Sequence, residues 1–290
     1  MRNYVIVTES TADLPDVIAK DLDIRVIPMA FELNGKGYYN YLDERELDIH
    51  EFYEALREGE KSVTSLINTE VFMEFFEPIL KEGNDILYIS FSSGLSGTYN
   101  ASLLAIDELK EMYPESKIFS VDSKCASIGE GLLVYSAALK KEEGYTIENL
   151  HQWLNDNILK LCHWFTVDDL NHLKRGGRVS AISAAIGTAL NVKPVLHVDN
   201  EGKLIPIEKV RGRKKSLLAL ADRMLQTCTK PEEQTIFIGH GDAIEDAEYL
   251  EQLIRERMNV KDVIINPIGP VIGSHSGPGT IALFFFGTER

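Results

Sequence analysis

The feature that most constrains this chain is the alternation, through its first half, of short β-rich apolar runs with segments whose apolar residues repeat at helical spacing. The runs are Tyr4–Val7, Arg25–Phe31, Ile86–Phe91 and Lys117–Val121. Between the second and third, Val71, Phe72, Phe75, Phe76, Ile79 and Leu80 recur as adjacent pairs one helical turn apart, which predicts a core-facing helix capped by Asn68 or Thr69. Leu103, Leu104, Ile106 and Leu109 continue the pattern, and Gly131–Leu139 and Ile147–Ile158 read as two further helices. Parallel strands cannot be joined by a tight turn and need a crossover, usually a helix, so this alternation predicts a three-layer α/β/α domain around a parallel sheet.

From Cys162 onward the spacing becomes irregular. Short runs stand at Cys162–Val167, Pro194–Val198, Leu204–Val210, Thr235–Gly239, Val263–Asn266 and Thr280–Phe286, with helices expected over Ser180–Asn191, Ser216–Cys228 and Ile244–Met258. The segment Asn200-Glu201-Gly202-Lys203 reads as a hairpin turn, which calls for antiparallel pairing and so a mixed sheet in a two-layer α/β domain. At roughly 150 residues per domain, 290 residues correspond to two. The boundary falls near residue 160, giving domains over 1–160 and 161–290 with no flexible linker between them.

Composition narrows the function classes. Thirty Lys and Arg against forty-five Asp and Glu leave a net charge of -15, which repels phosphate backbones and anionic lipid, so no nucleic-acid partner is expected. Three dispersed cysteines, Cys125, Cys162 and Cys228, fit neither a disulfide framework nor a Cys-based zinc site and suit a reducing cytoplasm. The N-terminus carries no secretory leader pattern, and the longest uncharged stretch, Val179–Val192, is too short and too polar for a membrane span. The seven histidines show no HxH or HExxH spacing, and no metal or other cofactor is expected.

The most unusual stretch is Ser90-Phe91-Ser92-Ser93-Gly94-Leu95-Ser96-Gly97-Thr98-Tyr99-Asn100, which leaves a strand and enters a helix. Hydroxyls, glycines and helix N-terminal amides at the carboxyl end of a parallel strand suit a small anionic group, although the same serines would equally serve as a helix cap. A serine hydrolase is the weaker reading, with Ser93 or Ser96 as nucleophile and His275 as base, because neither GxSxG nor a group to orient the base is present. Gly273-Ser274-His275-Ser276-Gly277-Pro278-Gly279 reads as a glycine-rich loop holding a histidine that a bound anion would protonate more readily. Two basic groups, Lys174, Arg175 and Arg178, then Lys209, Arg211, Arg213, Lys214 and Lys215, would form a positive patch if the fold brought them together. His240 and the carboxylate pairs Glu9/Asp13 and Asp168/Asp169 stand at strand ends, where capping is their ordinary role.

Taken in order, Glu9–Pro15, Val63-Thr64-Ser65, Ser92–Asn100, Val121-Asp122-Ser123, Leu173–Val179, Asn191–Val195 and Gly273–Gly279 resemble the signature blocks of the DegV family. The resemblance covers essentially the whole chain, with Glu9 in place of an aspartate and Leu66-Ile67-Asn68 in place of a polar-Pro-Ser continuation. It implies two DegV-like α/β domains that bind a long-chain fatty acid, carboxylate held by hydroxyls and tail in an apolar tunnel. Similar proteins are the acyl-carrier subunit of a bacterial fatty acid kinase and act in the cytoplasm without turnover of their own, presenting the carboxylate to a separate catalytic subunit. Carried over, the carboxylate ligands are Thr64, Ser93 and His275, with Ser65, Ser96 and Gly94 lining the site. Arg175, Arg178, Arg211 and Arg213 become candidates for docking the kinase subunit or meeting the incoming phosphate.

Overall fold

The computed structural model describes residues 2–179 and 191–290; the helix expected over 180–191 lies, all but its last residue, outside them. In chain order the first half holds β1 (Tyr4–Glu9), α1 (Asp16–Asp21), β2 (Ile24–Ile27), β3 (Met29–Leu33), β4 (Lys36–Asn40), α2 (Ile49–Arg57), β5 (Ser62–Thr64), α3 (Thr69–Lys81), β6 (Asp85–Ser90), α4 (Thr98–Met112), β7 (Ile118–Asp122), α5 (Ile128–Glu142) and α6 (Ile147–Asn157). The second half holds β8 (Leu161–Thr166), α7 (Leu170–Arg175), β9 (Val192–Val198), β10 (Leu204–Arg211), α8 (Arg213–Thr227), β11 (Thr235–His240), α9 (Ile244–Arg255), β12 (Asp262–Pro267), α10 (Pro270–Ser276) and β13 (Ile281–Phe286).

The expected parallel sheet is present, in the order β2-β1-β6-β7. Its side chains alternate between two cores, as strand periodicity requires. Val5, Val7, Ile86 and Tyr88 share one core with Phe72, Phe76 and Ile106 from α3 and α4. Ile6, Leu87 and Ile89 share the other with Leu133, Val134 and Ala137 of α5. Asn68 caps α3, its side chain accepting from the amide of Val71.

The apolar run Arg25–Phe31 is not one strand. Pro28 has no amide to give a ladder and separates β2, in the parallel sheet, from β3, which pairs with β4 and β5 in a small antiparallel sheet that the sequence reading did not anticipate. That small sheet carries Thr64 on β5.

The second half forms a mixed sheet, β10-β9-β8-β13-β11-β12, in which only β11 and β12 run parallel. β9 and β10 are joined across the expected hairpin. One face is covered by α8 and α9 through Leu217, Leu220, Met224, Leu250 and Ile254. The other packs on α5, where Phe165, Leu196, Phe237, Ala282 and Phe284 join Leu132 and Leu133 in a single core. Gly129, in the first turn of α5, permits this: a Cβ there would collide with the ring of Phe284. α5 therefore lies between the two sheets, and the two halves share a core.

Candidate functional site

The parallel sheet's chain path leaves β1 toward β2 on one side and returns to β6 on the other, so the connections diverge between β1 and β6. Crevices at such a point, outside the carboxyl ends of the strands, are where open α/β sheets bind ligands. A cavity of about 490 Å³ occupies this place. The loops after β1, β6 and β7 contribute Thr11, Phe91, Leu95, Ser96, Gly97, Ala126 and Ser127. Across from them stand Val271, Ile272 and His275 of α10, and the inner face of the mixed sheet contributes His163, Phe165 and Ala282, with Thr280 just before β13. Most of the wall is apolar, and its polar side chains are neutral hydroxyls, two histidines and Arg178.

Thr64 and His275 are brought together: Thr64 Oγ1 lies 2.8 Å from His275 Nε2. Ser65 and Leu66 beside them are exposed, which puts the pair near the cavity's opening. The expected glycine-rich loop is in its first part helical. His275 sits in the last turn of α10, and Gly277 and Gly279, at φ of 80° and 75°, make the turn into β13. The imidazole is pressed between elements, because a Cβ on Gly176 would collide with its Nδ1. That Nδ1 is buried with no hydrogen-bond partner among the described residues. Burial, with a smaller contribution from Arg178, pulls the His275 pKa down to about 4, which keeps the ring neutral. A carboxylate beside it would reverse part of that shift.

Ser65 and Ser96 also line the cavity, whereas Ser93 and Gly94 are not among its lining residues. Ser93 Oγ accepts from Lys124 Nζ at 3.1 Å, and its amide donates to Asp122. Gly94 packs on the β9–β10 turn, where a Cβ would lie 2.6 Å from the carbonyl oxygen of Glu201. Ser92 donates to the carbonyl of Gly202 at 2.8 Å. The hydroxyl-rich stretch thus has two tasks, one half clamping the hairpin and the other facing the cavity, with Ser96 also accepting from the amide of Thr98 at the start of α4. Neither Ser93 nor Ser96 bonds to His275.

The four arginines are dispersed in role. Arg178 is on the cavity wall and donates to the carbonyl of Gly176. Arg175 is exposed, 3.0 Å from His172 Nδ1. Arg211 is exposed at the end of β10. Arg213 is mostly covered, bonded to Asp246 at 2.8 Å and to the carbonyl of Gly279 at 2.6 Å, with Asp168 at 3.5 Å.

Asp169 caps α7, and His240 Nδ1 accepts from the amide of Ala243, as strand-end residues do. The pair Glu9/Asp13 differs from the capping expected of it at the ends of its own elements. Glu9 is fully buried and accepts from the amide of Phe91 at 2.8 Å. Asp13, also buried, reaches the amide of Gly269 at the head of α10 and the hydroxyl of Ser127. Glu130 on α5, which sequence reasoning missed, is buried nearby and accepts from Thr8 and Thr11. Desolvation raises all three carboxyls, Asp13 to about 8. None of the three acids is a lining residue of the cavity, but their partners Thr11, Ser127 and Phe91 are. On the surface His50, Glu54 and Asp242 come within metal-ligand distance of one another, but Arg57 bonds to both carboxylates and supplies the cation there.

The structure is an α/β protein whose two larger sheets share one helix, with a mostly apolar cavity opening beside a hydroxyl–imidazole pair, a shape with room for an amphiphile with one polar end. The family model described as "Uncharacterised protein, DegV family" matches residues 3–288, and the chain belongs to that family. A DegV domain-containing protein of Clostridium perfringens is 49% identical over 290 residues, covering 100% of this chain and 99% of that one. Among solved structures, a DegV lipid binding protein from Thermotoga maritima aligns with a TM-score of 0.86 at 31% identity, over 99% of each chain. A fatty acid binding DegV family protein from Streptococcus agalactiae gives 0.86 at 30% identity over 100% of each. No described helix is long and apolar enough to cross a membrane.

Proposed function

We propose that this protein binds one long-chain fatty acid in the cavity and holds its carboxylate for phosphorylation by a separate fatty acid kinase subunit, in the cytoplasm where ATP is found. The observation that carries the reading is the Thr64–His275 pair at the opening of a mostly apolar cavity. The ligands named for the Thermotoga and Streptococcus relatives support it.

The tail supplies affinity. About sixteen carbons at ~0.8 kcal/mol per buried methylene represent on the order of 12 kcal/mol of gross burial, before the costs of association. The head group then needs only to be oriented. Thr64 Oγ1 and His275 Nε2 each offer a donor to the carboxylate, with Ser65 and Ser96 beside them. One carboxylate oxygen attacks the terminal phosphorus of ATP, the bond to the bridging oxygen breaks, and acyl phosphate and ADP leave. Arg178, on the cavity wall and acting on His275 through its charge, would meet the charge that develops. Ser93 would act indirectly, through the Lys124 contact that steadies its loop. Arg175 and Arg211, both exposed, are the candidates for docking the kinase subunit.

The protein is a carrier, and the transfer belongs to its partner. With a kinase subunit, ATP and palmitic acid, wild type should support acyl phosphate formation, and Thr64→Val or His275→Phe should impair it. Unchanged turnover in both variants rejects the head-group assignment.

A further inference from the structure

Beside the carboxylate site the hydroxyl of Ser276 is buried without a partner among the described residues, and further in His163 is a polar side chain of the cavity wall with no task in the account above. His163 lies on β8, 4% exposed, and lines the cavity. Its ring packs on Phe284, centroids 4.4 Å apart, and on Phe165 at 5.7 Å. Its Nδ1 is buried and has no hydrogen-bond partner among the described residues. Such an atom is costly to leave unmade, so a histidine in an aromatic wall calls for a partner that the protein does not provide.

The sheet register gives its depth. Thr280 bonds to the carbonyl of Ser276, next to His275, and so marks the carboxylate end. Along the strand that follows, Ala282 pairs with Phe165 and Phe284 with His163. Four residues at roughly 3.4 Å each place His163 on the order of 14 Å further in than Thr280. That is the level of the middle of a long acyl chain whose carboxylate is on Thr64 and His275. The neighbours lining the cavity there, Phe165, Leu204 and Ala282, are apolar.

We propose that His163 recognises an oxygen-bearing group in the middle of the acyl chain, so that the preferred ligands are mid-chain hydroxy or oxo fatty acids rather than plain chains of the same length. This rests on the fatty-acid reading above. Burial keeps the imidazole neutral, with one nitrogen to donate and one to accept, which suits a hydroxyl in either sense. A site arranged to bond a hydroxyl discriminates against the analogue lacking it, because the buried polar atom is then left alone.

The test compares ricinoleic acid with oleic acid, which differ by a single hydroxyl beyond the chain's midpoint. Titrated into wild type, ricinoleic acid should bind at least about tenfold more tightly. In His163→Phe the ratio of the two affinities should fall to about one. In wild type, without any variant, the nitrogen resonances of the His163 ring should move on adding ricinoleic acid and stay in place on adding oleic acid. Equal affinities in wild type, a ratio that His163→Phe leaves intact, or identical resonances with the two acids would each overturn the proposal while leaving fatty-acid binding standing. Failure of both acids to bind overturns the fatty-acid reading itself, and this proposal with it.

Discussion

His275 and Thr64 are separated by 211 residues and meet at 2.8 Å, the histidine on the last turn of α10 and the threonine at the end of β5. Neither belongs to the parallel sheet whose carboxyl edge forms the opposite wall, so the head-group site exists only once the small antiparallel sheet has docked on α10. If both groups bond the same carboxylate, replacing either one should weaken fatty-acid binding by about tenfold to a hundredfold, the range for a hydrogen bond to a charged group. In a double-mutant cycle, Thr64→Val and His275→Phe should combine to less than the sum of their separate effects. Displacement of a fluorescent fatty acid measures this, and strict additivity would argue for independent sites.

Gly176 should behave as a binding residue although it has no side chain. Its φ is -70°, open to any residue, but a Cβ would strike His275 Nδ1. Gly176→Ala should therefore displace the imidazole and lower affinity about as far as His275→Phe does, with only a small change in thermal midpoint. Wild-type affinity in this variant would show that the ring has room to move.

Stability should fall as pH rises from about 7.5 to about 9. Burial raises Asp13 from 3.8 to about 8, and raises Glu9 and Glu130 as well. The folded protein keeps protons that the unfolded chain releases, so this stability is present in full below the unfolded pKa and disappears as pH climbs through the folded one. Histidines with lowered pKa act in the opposite sense. His275, at about 4 when folded, contributes stability that is lost as pH falls below 6.5. About one pH unit above 6.5 the buried histidines are neutral in both states, and the acids decide the slope. Urea midpoints measured across the window should decline; a flat or rising series would mean that these carboxyls are ionised in the folded state.

Glu130→Gln isolates one of those acids. The amide oxygen can still accept from one of Thr8 and Thr11, and the amide group can donate to the other after its hydroxyl rotates. The variant should be at least as stable as wild type at pH 8 and should show a shallower dependence on pH. A large loss of stability at that pH would mean that a buried charge is required.

Arg213 and Arg211 should part company. Arg213 ties the turn after α10 to α9 through Gly279 and Asp246, so Arg213→Ala should destabilise the fold by about 2 kcal/mol. Arg211→Ala, an exposed change, should stay within about 0.5 kcal/mol of wild type and affect only productive association with a kinase subunit. Denaturant unfolding and acyl phosphate formation read the two effects separately.

Much of the architecture followed from local patterns. The parallel strands, the helices that cross between them and the β9–β10 hairpin were visible as apolar periodicity and turn residues. Pro28 was also in plain view, and as a residue without an amide it was a signal that the run around it should divide between two sheets. The family resemblance points to Thr64, Ser65, Ser96 and His275, and all four line the cavity. Ser93 and Gly94 share a motif with Ser96 but turn elsewhere, Ser93 to Lys124 and Gly94 to the hairpin, because a tight loop turns successive residues in different directions. Glu130 and His163 could not be found from pattern alone. Each sits among apolar residues in its own element, and what distinguishes it is a neighbour from a distant part of the chain, Thr8 and Thr11 in one case and Phe284 in the other.

The central claim is that the cavity is a fatty-acid site, and mass spectrometry of the purified protein, native and after organic extraction, tests it most directly. The account predicts one long-chain fatty acid per polypeptide, retained through purification, with lower occupancy in the double variant Thr64→Val/His275→Phe. A protein that emerges empty and takes up no added palmitic, oleic or ricinoleic acid would contradict it.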